Sequence, residues 1–136
     1  MQHYFGFTLL ELLIALAITA ILASIAYPSY ISETMHAQRN RAEVILMQLA
    51  ARMEVYAGDH DNSYKGVRLV DLNANTLIEN VWYQFKITDS DADHFTLKAI
   101  PTDKQADHDS RCGTLTLTNT NIRGISGMAS VADCWR

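Results

Sequence analysis

An apolar segment near the start, GFTLLELLIALAITAILASIAYPSY at residues 6–30, limits most strongly how this chain can fold. Between Phe7 and Tyr27 it contains a single charged side chain, that of Glu11. As a helix this stretch covers roughly 30 Å, the thickness of the hydrocarbon core of a bilayer. An ionised, unpaired carboxylate inside such a segment costs about 2.5–3.5 kcal/mol. The acid therefore needs a functional explanation, because an apolar span does not require it.

Three interpretations of this segment compete. A secretory signal peptide would use the small-residue site Ser24–Ala26 and leave a chain that begins at Tyr27, but residues 1–6 lack the positive charge typical of such peptides. A plain membrane anchor explains the length and leaves the acid unexplained. In the third interpretation a short leader ends in Gly6 and is cut off before Phe7, and the helix that follows is retained with its acid paired. This interpretation explains more of these features.

The segment resembles the N-terminal signature of type IV pilins. In that family a prepilin peptidase cuts after a glycine and the new first residue is N-methylated, and Gly6 and Phe7 hold these positions. The resemblance implies that Glu11 pairs with the amine of Phe7 on a neighbouring pilin in a helical filament, which would set the register of the subunits. It also implies a single pass through the inner membrane before assembly, and then an extracellular pilus of a Gram-negative bacterium.

The leader MQHYFG departs from the family because it contains no Lys or Arg. Such residues hold a leader on the cytoplasmic side of the membrane. Either the membrane potential and recognition of the apolar segment suffice, or the true start lies upstream of Met1. We expect residues 1–6 to be the leader, 7–28 the half of the helix that crosses the membrane and enters the filament core, and 29–136 the globular head.

The helix is predicted to run on beyond the membrane segment, from Phe7 to about Ala57, with a kink at Pro28 and an end at Gly58. After the proline, apolar side chains recur at helical spacing, which indicates an amphipathic helix. The apolar stripe comprises Ala42, Ile45, Leu46, Leu49, Met53 and Tyr56, and the polar face carries Arg39, Arg41, Glu43, Gln48 and Arg52.

The second half of the chain changes to a period of two, which is typical of strands. Strands are predicted at 81–88, 95–101 and 112–118, with weaker ones at 122–127 and 131–135, a turn at 89–93, and irregular structure at 59–79 with short apolar patches at Val67–Leu72. The predicted fold class is α+β, in which one long N-terminal helix packs against an antiparallel sheet of three to five strands.

The tail carries a second resemblance. FTLKAIPTDKQADHDSRCGTLTL, with Cys134 and Trp135 after it, is similar to the tail of PilE-like minor pilins, a group that includes the competence pilin ComP. There the two cysteines close a surface loop called the D-region, which implies a Cys112–Cys134 disulfide here. Such a bridge stabilises a loop of this size by about 3 kcal/mol, and an exported chain favours it.

Several short motifs contain residue types that bind metals, but none of them contains a full set of ligands. Asp89–Asp93 alternates acids as calcium loops do, but His94 and Ile100 stand where an EF-hand needs Gly and Glu, so a hairpin turn is favoured. The acids and histidines of 59–61 and 107–109 are interpreted as solvated loops, since no second half of a site is evident. No catalytic or nucleotide-binding motif is present, so we predict no enzyme, no metal and no cofactor.

The charge pattern argues against a broad nucleic-acid surface. The net charge is −4 and no Lys/Arg run occurs. In the tail, the acids Asp103, Asp107, Asp109 and Asp133 offset the basic residues Lys104, Arg111, Arg123 and Arg136 one for one. A fold that segregated Lys104, Arg111 and Arg123 beside Trp82 or Trp135 would provide a DNA surface. A neutral, solvated face is the favoured interpretation.

The two resemblances therefore imply a structural minor pilin of a type IV pilus that contributes to assembly, adhesion or motility. Its partners are the prepilin peptidase, the inner membrane and other pilins. One alternative is a ComP-like DNA-uptake receptor of natural competence. Another is a pseudopilin of type II secretion.

Overall fold

The computed structural model describes residues 7–135, and these form the predicted α+β fold. The elements in chain order are α1 (Leu9–Gly58), β1 (Tyr83–Thr88), β2 (Thr96–Pro101), α2 (Asp103–Ala106), β3 (Leu115–Thr118), β4 (Arg123–Ile125) and α3 (Val131–Cys134). The chain divides into two compact units, one ending at Thr34 and the other beginning at Met35. Each unit is described on its own.

The first unit consists of the N-terminal half of α1. Its large apolar side chains are exposed along the whole segment, and it is long and apolar enough to cross a membrane. Pro28 lies inside the helix. Proline is tolerated at the N-terminal turn of a helix and removes one backbone hydrogen bond in the interior. The kink at this position stays a prediction.

The second unit has one apolar core between the remainder of α1 and the sheet. The buried stripe on the helix is the predicted one, and only Tyr56 is less than fully buried. Side chains from alternate strand positions face it, namely Tyr83, Phe85, Leu97, Ala99, Leu115 and Leu117. The irregular segment 59–82 adds Val67, Leu72 and Ala74 to the same core. This burial supplies the hydrophobic stabilisation of the unit.

The predicted polar face of α1 is wrong at two positions. Arg39 is 3% exposed and Glu43 is 2% exposed, whereas Arg41 and Gln48 are exposed as predicted. The cause is helical spacing: Arg39 lies three residues before Ala42, and Glu43 three before Leu46, so both share the buried side of the helix. The covered side is therefore wider than an apolar stripe alone would indicate.

The sheet is an antiparallel meander with the strands in the order β1-β2-β3-β4. Four strands lie within the predicted range of three to five. The turn at 89–93 joins β1 to β2 as predicted: Asp89 is in the left-handed region at φ 54°, and Oδ1 of Asp91 accepts from the amides of Asp93 and His94, both at 3.0 Å. These local bonds satisfy the backbone of the turn.

The weak strand predicted at 131–135 is wrong, because Val131–Cys134 forms the short helix α3. Ser130 precedes it in an extended conformation, and its hydroxyl accepts from the amide of Asp133 at 3.1 Å. This is an N-cap, for which serine is a preferred residue. The alternation of apolar and polar side chains over five residues was too short to exclude a helical turn.

Candidate functional site

The N-terminal half of α1 offers the first candidate surface. Phe7 is 82% exposed, and the apolar side chains that follow it are exposed as well. An exposed apolar surface of this extent needs a membrane or another protein to cover it. Gly6, the residue before the predicted cut, lies outside the described residues.

Glu11 caps the start of its own helix. Its Oε2 accepts from the backbone amide and from the hydroxyl of Thr8, both at 3.0 Å, and the hydroxyl of Thr8 accepts from the amide of Glu11 at 3.2 Å. This reciprocal pair is a capping box, which satisfies backbone donors that the first turn leaves open. The spacing Thr-x-x-Glu was readable in the sequence and was missed there.

The capping box engages only one of the two carboxylate oxygens of Glu11. Among residues 7–135, Oε1 of Glu11 has no hydrogen-bond partner. A carboxylate in an apolar surrounding is stabilised by a paired cation. The cap fixes the position of Glu11, and within the described residues it leaves one of the two carboxylate oxygens unbonded.

The C-terminal region is closed by the Cys112–Cys134 disulfide that the resemblance implied. Backbone bonds hold the enclosed loop: the amide of Gly127 donates to Cys112 O at 3.0 Å, and the amide of Ala129 donates to Arg111 O at 3.0 Å. The indole of Trp135 donates to Gly124 O at 3.0 Å. The loop is therefore an ordered part of the second unit, joined to both the sheet and α3.

The three basic residues proposed from the sequence lie in separate surroundings. Arg123 lies over the ring of Trp135, with its Cζ 5.3 Å from the centroid, and Lys104 lies over Trp82, with its Nζ at 5.9 Å. Arg111 lines an open pocket of about 390 Å³ beside the disulfide. Trp135 is 5% exposed, so it is not available to stack on a base.

A buried polar cluster joins α1 to the segment before the disulfide. Nη1 of Arg39 lies 2.5 Å from Oδ1 of Asp109, and both side chains are buried. The side-chain amide of Gln105 donates to Oδ2 of Asp109 at 2.9 Å and to Met35 O at 3.1 Å. Tyr83 is buried nearby, and its pKa is raised above the ordinary value, first by burial and then by the charge of Asp109.

This cluster corrects the interpretation of 107–109 as a solvated loop. Asp109 is 8% exposed and paired, although Asp107 and His108 are exposed. Its partner is 70 residues away in sequence, and no local pattern indicates such a pairing. Because Asp109 neutralises Arg39 in the interior, it does not offset the surface cations of the tail. In the part of the chain that the structure describes, no cluster of three metal-ligating side chains occurs.

Residues 28–116 match the sequence profile of the family described as "Type IV minor pilin ComP, DNA uptake sequence receptor". This match spans more than half of the chain. The chain belongs to the type IV minor pilins. Residues 1–27 match the prokaryotic N-terminal methylation motif. The family decides against the pseudopilin alternative, and its members are structural subunits that assemble with other pilins.

Solved pilin structures resemble this minor pilin in fold. A type IV pilin from Shewanella oneidensis is 25% identical, with a TM-score of 0.56, and the match covers 75% of this chain and 98% of that one. The non-core minor pilin PilV from Neisseria meningitidis is 23% identical, also with a TM-score of 0.56, over 71% of this chain and 90% of that one. The second likeness shows the fold alone. Among curated proteins, no sequence matches the chain significantly.

Proposed function

We propose that this minor pilin is made as a prepilin, cut between Gly6 and Phe7, methylated on Phe7, and assembled through residues 7–28. The observation that carries the proposal is the methylation motif over residues 1–27, joined to an exposed apolar helix. In this account residues 1–6 are the leader and 29–136 form the head. The chain is the substrate of the prepilin peptidase and acts as a structural subunit, not as an enzyme.

The location follows from the same steps. Before assembly the apolar half of α1 spans the inner membrane once, because its length suits the hydrocarbon core. After cleavage the same surface transfers from lipid to the helices of other pilins, and the head becomes part of an extracellular pilus of a Gram-negative bacterium.

Glu11 is the proposed contact that selects the register during assembly. Cleavage creates a positively charged amine at Phe7, and the open oxygen of Glu11 would receive that amine from a neighbouring subunit. Leaving a carboxylate unpaired in a bundle of apolar helices costs about 3–5 kcal/mol, so pairing favours one register over the alternatives. The bond from Thr8 holds the acid at the start of the helix, where the amine arrives.

The test compares pili sheared from cells that express wild type, Glu11→Gln or Glu33→Gln. Glu33 is also exposed on α1 and lies outside the apolar segment, so its substitution is a matched control. We expect Glu11→Gln to reach the membrane normally and to fall by about two orders of magnitude in the pilus fraction, since 1.4 kcal/mol corresponds to a tenfold change. Equal amounts of both variants in pili would refute the role of Glu11.

A second candidate function is DNA uptake, and the family match favours it. One observation in the described structure supports it. Asp109 is buried and paired with Arg39, so its negative charge does not offset the basic residues on the tail surface. Deletion of the chain should then lower the uptake of DNA by competent cells while surface pili remain. Unchanged uptake in the deletion strain would end this second proposal and leave the structural role untouched.

A further inference from the structure

The two edge strands of the sheet differ in what lies against them. β4 is three residues long and contacts α3, and Gly124 O on this strand accepts from the indole of Trp135. β1 is six residues long, and in the described part of the chain it pairs with β2 alone. Open backbone groups on a strand edge can pair with a strand from another chain. β1 is therefore the edge that offers backbone groups for such pairing.

The backbone groups that point away from β2 belong to alternate residues of β1. The amide of Thr102 donates to Trp82 O at 2.9 Å, so these two residues form a hydrogen-bonded pair at the end of the ladder. In an antiparallel ladder such pairs alternate with pairs whose backbone groups point outward. The outward groups of β1 are thus those of Tyr83, Phe85 and Ile87.

Two of these three residues have open backbone groups. The amide of Tyr83 donates to Oδ1 of Asn80 at 3.3 Å. Across residues 7–135, the amides and carbonyls of Phe85 and Ile87 have no hydrogen-bond partner. Buried backbone groups are almost always paired, so open ones in a row mark an edge where water or another strand binds. Two such residues in alternation are the template that an added strand uses.

The side chains beside this edge select the chemistry of an added strand. Lys86 is exposed on the outer face of the sheet and lies directly opposite Lys98 on β2. The same row continues with Thr116 and Gly124, so it contains no acid. Opposed like charges on a sheet are destabilising, and among the described residues neither lysine has an ion-pair partner. An acid on the free side of Lys86 would relieve this repulsion.

We propose that β1 binds an extended, acidic segment of another protein, which adds to the four strands as a fifth, antiparallel strand. Its backbone exchanges hydrogen bonds with Phe85 and Ile87, and a carboxylate on its outer face lies opposite Lys86. A lysine on an edge strand disfavours pairing with basic strands, and a second copy of β1 would bring a second lysine to the same face. The charge of the edge thus favours an acidic partner over another copy of this chain.

Antiparallel addition determines which amides of the partner bind. Directly opposite residues share a face, so the partner residues opposite Phe85 and Ile87 point their side chains to the core side of the sheet. The same residues donate their amides to β1, while the amides of the acidic residues point away from it. Alternate residues of the partner therefore have separate roles, since apolar ones supply backbone bonds and acidic ones supply charge.

The first test measures, by fluorescence anisotropy, binding of a short labelled peptide of alternating valine and glutamate to the full chain in a neutral detergent. One derivative of the peptide is N-methylated on its valine amides and a matched one on its glutamate amides, so that both keep the same charge. We expect methylation of the valines to abolish binding, because it removes the donors that face β1, and methylation of the glutamates to preserve it. Equal binding of both derivatives would show that charge alone governs the contact.

The second test changes the charge of the edge. Lys86→Glu is compared with Lys65→Glu, which makes the same change at an exposed loop position. We expect Lys86→Glu to weaken binding of the glutamate peptide by about tenfold and to strengthen binding of a matched lysine peptide by a similar factor. Lys65→Glu should keep the wild-type affinities. Since Lys86→Glu places an acid opposite Lys98, it favours the pairing of β1 with β2 and leaves the sheet folded.

Other results would overturn the proposal in distinct ways. If the glutamate peptide does not bind wild type, the edge is not a site for an acidic strand. If both lysine variants weaken binding equally, net charge decides and β1 is not the contact. If wild type forms a dimer that excludes the peptide, the occupant of the edge is a second copy of this chain. None of these results bears on cleavage before Phe7, on Glu11 or on DNA uptake, which have their own tests.

Discussion

The guanidinium of Arg39 and the carboxylate of Asp109 form an ion pair inside the second unit, with Nη1 and Oδ1 2.5 Å apart. The backbone carbonyl of Asp109 accepts from the amides of Cys112 and Gly113, both at 3.1 Å. One residue therefore ties the start of the disulfide loop to α1. In the head of this minor pilin the disulfide loop is therefore attached in two ways. The ion pair attaches its start to α1, and the disulfide attaches it to α3.

Arg39→Met should lower the free energy of unfolding by about 3–5 kcal/mol, because it leaves the carboxylate of Asp109 buried and unpaired. The exposed pair of Arg68 and Asp71 provides the control, since solvent screens an exposed ion pair and Arg68→Met should change the free energy of unfolding far less. Urea unfolding of the full chain, followed by tryptophan fluorescence, measures both. Adding Asp109→Leu to Arg39→Met should recover most of the loss, and equal effects of the two single variants would contradict the account.

Removal of the disulfide by Cys112→Ala with Cys134→Ala should lower the free energy of unfolding by about 3 kcal/mol, from the entropy of a loop with a sequence separation of 22. The same urea experiment measures the change. A reductant should bring wild type to the stability of the double variant and leave the variant unchanged. A wild type that is insensitive to reductant would show that the bridge adds no stability.

Gly127→Ala should destabilise the disulfide loop by about 1–3 kcal/mol, the usual cost of overpacking. A Cβ at this position would clash with the backbone oxygen of Arg111. The backbone on both sides is fixed by hydrogen bonds, since the amide of Gly127 donates to Cys112 O and Arg111 O accepts from the amide of Ala129. Gly58→Ala is the matched control, because nothing lies within 4 Å of a Cβ there. Thermal unfolding should separate the two variants, and identical midpoints would disprove the close packing of Gly127.

Tyr83 should make stability fall at high pH. Its folded-state pKa is raised by burial, so above pH 10 the unfolded chain releases a proton that the folded chain retains. The stability contribution is complete below the unfolded pKa and is lost as pH rises, by up to about 1.4 kcal/mol per pH unit. Urea unfolding at pH 9 to 11 should show a smaller decline for Tyr83→Phe than for wild type, and parallel curves would contradict the prediction.

Much of the fold was predictable because it depends on local periodicity. The alternation of apolar and polar residues over Tyr83–Thr88 predicted a strand, and the structure shows the matching alternation of burial. The apolar stripe from Ala42 to Met53 predicted the side of α1 that faces the core. Strand ends were less accurate: β3 begins at Leu115 and not at Cys112, because the preceding residues form the turn that carries the disulfide. The disulfide itself followed from a resemblance and from the expected export of the chain, in which a disulfide persists.

The polar interior was not predictable from one sequence. Arg39 and Asp109 were each predicted to lie at the surface, since charged side chains are rarely buried without a partner. Their pairing depends on how 70 intervening residues fold, and no local pattern encodes it. The capping box of Thr8 and Glu11 was local, and its spacing would have revealed it.

The most direct test of the central claim is mass spectrometry of the N-terminus of the protein isolated from pili or membranes. The account predicts a chain that begins at Phe7 and carries one methyl group on its amine, as the methylation motif indicates. A chain that begins at Tyr27 would mean that the apolar segment is a discarded signal peptide. That result would contradict assembly through α1 and every role proposed for Glu11.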